Sequence, residues 1–198
     1  MEYLHSRNIV FRDLKPENLL IGSDGYLKLT DMGLAKICFR RLYTVCGCPF
    51  YIAPEIYDTF GYDFGVDVWT MGIFLYEAST GSLPFDSKNR QDLIHRIKNM
   101  KPIFDCSYDD DAKDLIINLL NKSPMERISL KEARKHKWLS DINWNQIESK
   151  RIKAPFVPQF KDENDLAFFD QQNFEYDMKD AEENEFVEEF KVFTMKKK

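Results

Sequence analysis

Residues 65–80, GVDVWTMGIFLYEAST, are apolar on nearly every side of a helical wheel. A helix of that kind has no face for water, so the rest of the domain must be wrapped around it, and Gly81 supplies its stop. The neighbouring segments fit that demand. Residues 90–99 are amphipathic at helical spacing. Residues 109–121 open with three aspartates at the positive helix end, then set Ala112, Leu115, Ile116, Leu119 and Leu120 on one stripe. Ser129-x-x-Glu132 is a capping box for a helix over 130–138. Residues 1–7 read as the last turns of a helix whose beginning is absent, so Met1 is expected not to be a natural domain start. LLIGSDGYLKLT reads as a hairpin with Asp24-Gly25 supplying positive dihedrals, and 31–55, rich in Gly and Pro and without a period, as a long functional loop. The expected class is therefore mainly α with one short β-hairpin.

Charge separates the chain into two parts. Residues 161–195 hold twelve acids against three lysines, whereas residues 1–160 net +1. The acids belong to a tail with spaced phenylalanines on a nearly neutral body, and neither part has the basic patch of a nucleic-acid binder. No apolar run approaches the roughly 18 residues of a membrane span, and MEYLHSRN is not a signal peptide, so a cytoplasmic protein without nucleic-acid or membrane partners is expected. Cys38, Cys46, Cys48 and Cys106 include one C-x-C and no second Cys or His pair, which reads as free thiols rather than a zinc site.

The chemistry is concentrated in NIVFRDLKPENLLI, residues 8–21. Transfer of a phosphoryl group from ATP needs a group to accept or orient the nucleophile's proton, a cation beside the moving charge, and oxygen ligands for Mg²⁺. On roles lent by the known template for such transfer rather than read from spacing, Asp13 can be the base, Lys15 the cation, and Asn18 with Asp31 the metal ligands. Each element alone is weak. Together, R-D-L-K-P-E-N, a hairpin, L-T-D-M-G and a long loop closing in A-P-E are specific.

In that order the motifs resemble the C-terminal lobe of a eukaryotic protein kinase, of the AGC group that includes the cyclic-nucleotide-dependent kinases. The resemblance covers nearly the whole chain. It implies a partial kinase domain over 1–139 and an AGC-type extension over 140–198, with the N-terminal lobe absent. It implies ATP and Mg²⁺ as cofactors and Ser/Thr of basic proteins as substrate. Leu20 and Thr30 would touch the adenine from below. Glu17 and Glu77 would grip a substrate arginine, and Val45, Pro49 and Ile52 would shape the pocket after the acceptor residue. Thr44 stands at the activation-loop phosphosite, to be modified by an upstream kinase, with Arg12 and Lys36 as its cationic partners. Asp67 would hold the catalytic loop through its backbone, and Glu55 would pair with Arg127. In the tail, Phe190 and Phe193 would anchor on the missing lobe beside a second candidate phosphosite, Thr194. A regulatory subunit or domain is a further implied partner. The competing assignments are core for Leu20, Val45 and Ile52, and local ion pairing for Glu17 and Glu77.

Four positions depart from the family pattern. Phe11 and Met32 remain apolar, so packing should survive. Cys48 replaces a threonine that bonds the catalytic Asp and Lys, which predicts a lower rate, and Phe50 replaces an acid. No G-x-G-x-x-G and no strand lysine occur, so this chain alone is expected not to turn over ATP appreciably. The alternative function is a non-catalytic short form that presents the peptide groove and tail to partners; a small-molecule kinase is disfavoured by the segment from Thr44 to Glu55.

Overall fold

The expected central helix runs from Gly65 to Thr80 (α2) in the computed structural model, which describes residues 1–160 and Phe168. It buries Val66, Asp67, Val68, Trp69, Thr70, Gly72, Ile73 and Tyr76, and Gly81 closes it in the left-handed region with its N–H on the Glu77 carbonyl. Helix α3 (Arg90–Asn99) starts where the Asn89 side chain accepts the Gln91 and Asp92 N–H groups, and it buries Leu93 and Ile97. Helix α4 (Asp110–Leu119) is capped by Asp109 and packs its predicted stripe against α2. At the crossing, a Cβ on Gly72 would lie 2.9 Å from the Leu119 Cβ, so the absence of a side chain there sets how closely the helices approach.

The short elements place the loops. Helix α1 (Glu2–Ser6) leads into β1 (Ile9–Val10), which pairs antiparallel with β4 (Lys36–Ile37). The hairpin is β2 (Leu19–Ile21) and β3 (Leu27–Leu29), with Leu20 opposite Lys28. Its turn needs only one positive φ, at Gly25, whose N–H bonds the Gly22 carbonyl; Asp24 does not share it. Residues 150–157 lie across this hairpin: Tyr26 donates its hydroxyl to the Ile152 carbonyl, and a Cβ on Gly25 would fall 2.3 Å from the Phe156 oxygen.

Two further expectations need correcting. The segment 31–55 contains a strand, β4, and ends in a 3₁₀ turn, Pro54–Tyr57. The helix opened by the Ser129–Glu132 capping box stops at Ala133 (α5, Leu130–Ala133), because the His136 ring accepts the Trp138 N–H and starts a separate 3₁₀ turn, Lys137–Leu139. A further helix, α6 (Trp144–Glu148), is capped by Asn143 and held by the Trp144 indole N–H on the Arg134 carbonyl. The four cysteines are free. Among the described residues no helix is long and apolar enough to cross a membrane.

By internal contacts the chain divides into two units, Met1–Val157 and Pro158–Lys198. In the second, Phe160 and Phe168 meet edge to face, ring centroids 5.6 Å apart. Thr194, Phe190 and Phe193 lie outside the described residues.

One cation in the first unit is set against the fold. Lys122 donates to the Ile97 carbonyl at 2.6 Å and stands 4.0 Å and 4.8 Å from the ring centroids of Phe85 and Trp69. Burial, with Arg127 nearby, pulls its pKa from 10.5 down to about 8. Below pH 8 the amine is charged in both the folded and the unfolded chain, and the full desolvation penalty is present. Between pH 8 and 10.5 the unfolded chain holds a proton that the folded one lacks, so stability rises with pH. Wild type is expected to gain about 1 to 2 kcal/mol over Lys122→Met between pH 7 and 9.5, after discounting for partial solvent screening. Urea unfolding at both pH values measures it; parallel pH dependence in the two proteins would refute it.

Candidate active site

The site is hung from the first turn of α2. Asp67, wholly buried, accepts the Arg12 N–H on Oδ1 and the Phe11 N–H on Oδ2, each at 2.8 Å, and His5 Nε2 lies 2.8 Å from the same Oδ2. Three partners on one carboxylate satisfy a charge that burial would otherwise make expensive. They also hold a strained backbone, since Arg12 has φ +71°, a region that costs a long side chain energy. The predicted role of Asp67 thus has its hydrogen bonds; His5, which sequence reasoning passed over, is the third partner.

The next residues converge on Asp13, which is 8% exposed. Lys15 Nζ stands 3.1 Å from Asp13 Oδ2, and that hydrogen-bonded carboxylate raises the lysine pKa. Asn18, in the 3₁₀ turn Pro16–Asn18, donates Nδ2 to the same Oδ2 at 2.8 Å and to the Asp13 carbonyl at 2.7 Å. The carboxylate is therefore held between an ammonium and an amide. The Cys48 thiol lies close enough to Lys15, Glu17 and Asp13 to feel their charges, and burial raises its pKa and keeps it protonated.

The hairpin delivers Asp31. Thr30 donates both its N–H (2.9 Å) and its hydroxyl (3.2 Å) to the Asn18 carbonyl, which fixes the end of β3 beside the 3₁₀ turn. Asp31 follows with φ +58°, exposed, and its Oδ1 accepts the Gly33 N–H. Because the Asn18 amide nitrogen is spent on Asp13, its oxygen is the atom left to coordinate. With the second oxygen of Asp31, that donor set fits a hard cation such as Mg²⁺, which takes few protein oxygens and keeps its remaining positions for water and phosphate. Leu20 is half exposed on β2, as are Ile21 and Leu27 nearby, so the hairpin offers an apolar surface.

A second acidic spot lies at the other end of α2. Tyr51 donates its hydroxyl to Glu77, and burial, then the nearby Glu17 carboxylate, raises the Glu77 pKa. Two carboxylates at mutual Coulomb range make a place for a cation. Val45 and Pro49 are exposed on the adjoining loop. Ile52 is 6% exposed and belongs to the main core, which is its competing assignment, so it can supply only the floor of a pocket.

Thr44 is exposed, and Arg12 is linked to it through Tyr62: Arg12 donates to the Tyr62 hydroxyl at 3.0 Å, and that hydroxyl donates to the Thr44 carbonyl at 2.6 Å. Lys36 is exposed on β4 opposite Val10. Glu55 and Arg127 form the expected pair, doubly bonded at 2.6 and 2.9 Å. Tyr62 had no sequence signal, because its partners are 18 and 50 residues away.

Residues 1–139 match the family model for the protein kinase domain. The chain is 37% identical over 195 residues to the cAMP-dependent protein kinase catalytic subunit of Dictyostelium discoideum, covering 96% of this chain and 30% of that protein. It is 41% identical over 175 residues to the cAMP-dependent protein kinase catalytic subunit 3 of Drosophila melanogaster, covering 86% and 30%. It is 37% identical over 180 residues to the human RAC-beta serine/threonine-protein kinase, covering 87% and 37%. The chain thus spans about a third of the length of these relatives.

Proposed function

The chain belongs to the protein kinase family, and on that premise we propose that it carries the catalytic and substrate-binding lobe of an enzyme that moves the ATP γ-phosphate to Ser or Thr of arginine-containing proteins. The observation that supports this most is the Asp13 carboxylate held between Lys15 Nζ and Asn18 Nδ2, with Asp31 brought alongside by the Thr30–Asn18 hydrogen bonds. Asp13 orients the acceptor hydroxyl and takes its proton. Lys15 stands beside the charge that develops on the transferred group. Asn18 and Asp31 would hold Mg²⁺, which when bound neutralises phosphate charge. Leu20 and Thr30 underlie the adenine.

Glu17 and Glu77, with Tyr51 fixing the latter, receive a substrate arginine, while Val45 and Pro49 over an Ile52 floor contact the residue after the acceptor. Thr44 is the site for an upstream kinase, with Arg12 and Lys36 as the cations that answer its phosphate. We retain 1–139 as the kinase lobe and 140–198 as its extension, with Thr194 as a second phosphosite, an amino-terminal lobe as docking surface for the tail, and a regulatory subunit or domain as partner. The residues that cover ATP phosphates are not among these 198, so the isolated chain is expected to be inactive.

The complete gene product carrying these residues, given Mg²⁺, ATP and a pair of serine peptides with either arginine or alanine before the acceptor, tests this. Phosphorylation of the arginine peptide at least about tenfold faster is expected, on the scale of one lost charge-assisted contact. No transfer to either peptide would sink the kinase reading; equal transfer would sink the acidic subsite.

A further inference from the structure

The Arg12 guanidinium is buried, yet among the described residues no carboxylate pairs with it. Its hydrogen bonds go to neutral atoms: Nε to the Leu34 carbonyl at 2.6 Å and a terminal nitrogen to the Tyr62 hydroxyl at 3.0 Å. Tyr62 is 2% exposed and passes the connection on, donating to the Thr44 carbonyl at 2.6 Å. Its own backbone is fixed by a two-way pairing with Leu42, at 2.8 and 2.9 Å. The residue before it, Gly61, has φ +73°, and a Cβ there would meet the Tyr43 ring at 2.7 Å, so the chain is shaped to bring this tyrosine under the loop.

We propose that Tyr62 is a positioning residue whose hydroxyl ties the Arg12 guanidinium to the Thr44 carbonyl, registering the activation segment against the catalytic loop before any phosphate is present. The inference rests on the kinase reading for its consequence but not for its geometry. Arg12 is the residue immediately before Asp13, so whatever fixes its side chain also steadies the strained backbone from which Asp13 projects. A phenol is protonated and a donor at neutral pH in any case, and burial raises the Tyr62 pKa further. A phosphate on Thr44 would then add a direct bond to a connection already formed, and the hydroxyl would matter less once it had.

Tyr62→Phe removes the hydroxyl and leaves the ring. In the 198-residue chain, hydrogen exchange of amides 42–46 is expected to quicken about five- to tenfold, with the α4 amides unchanged. Tyr51→Phe, which removes another buried hydroxyl, should leave 42–46 as in wild type. In the complete gene product, Tyr62→Phe should lower kcat about tenfold when combined with Thr44→Ala and less than twofold when Thr44 is phosphorylated. Unchanged exchange at 42–46, acceleration spread equally through α4, or the same kcat loss in both Thr44 states would overturn the tie. Exchange needs neither ATP nor substrate, so local acceleration in the 198-residue chain together with no phosphate transfer by the complete gene product would overturn the kinase reading and leave the tie standing.

Discussion

Asp13→Asn in the complete gene product is expected to lower kcat by about 10³-fold, within the range for loss of a positioned proton acceptor, with little change in KM for ATP. The substitution is nearly isosteric, and an amide oxygen can still receive one of the two donors that flank the position, Lys15 Nζ and Asn18 Nδ2. What it cannot do is take a proton or carry the charge that orients the acceptor hydroxyl. The fold should be spared, because Lys15 is partly exposed and its pair with Asp13 contributes at most about 1 kcal/mol. Steady-state kinetics with thermal unfolding on the same sample separates the two effects. A kcat within tenfold of wild type would remove Asp13 from the chemistry, and would favour a protein that binds peptides without modifying them.

The order of motifs led to the expectation that Asp13, Lys15, Asn18 and Asp31 serve one reaction, but gave no sign of the bond that turns the Asn18 amide nitrogen onto Asp13 and leaves its oxygen free. Helix α2 was legible to its last residue because a segment apolar all round and closed by a glycine has few other fates. The stripe on α4 was legible for the same kind of reason. Two-residue strands carry no periodicity, so β4 was hidden inside a loop, and the early stop of α5 depends on one side-chain acceptance by His136. His5 and Tyr62 escaped notice because their importance lies in partners 62 and 50 residues away. Long-range hydrogen bonds leave no local pattern; only the folded chain displays them.

The Glu55–Arg127 pair shows the same dependence at its largest energetic scale. Arg127→Met is expected to destabilise the 198-residue chain by about 3 to 5 kcal/mol and to lower Tm by roughly 10 °C. The guanidinium side chain is 1% exposed, bonded twice to Glu55, and also to the carbonyls of Gly65 at 2.8 Å and Asn121 at 3.0 Å. It therefore fastens the 3₁₀ turn Pro54–Tyr57, the start of α2 and the end of α4 at one point. Methionine can fill much of the volume beside the Trp69 ring, which the guanidinium covers at 5.2 Å, so the loss is electrostatic more than steric. Most of it is the carboxylate of Glu55 left buried without a partner. It follows that Glu55→Gln combined with Arg127→Met should recover about half of the loss, since a neutral amide tolerates that environment better than an anion. Urea unfolding of the two single variants and the double variant closes the cycle. A single-variant loss below about 1 kcal/mol would show the pair to be an ornament of the fold; a double variant no more stable than Arg127→Met would show that the backbone carbonyls, not Glu55, are what the guanidinium serves.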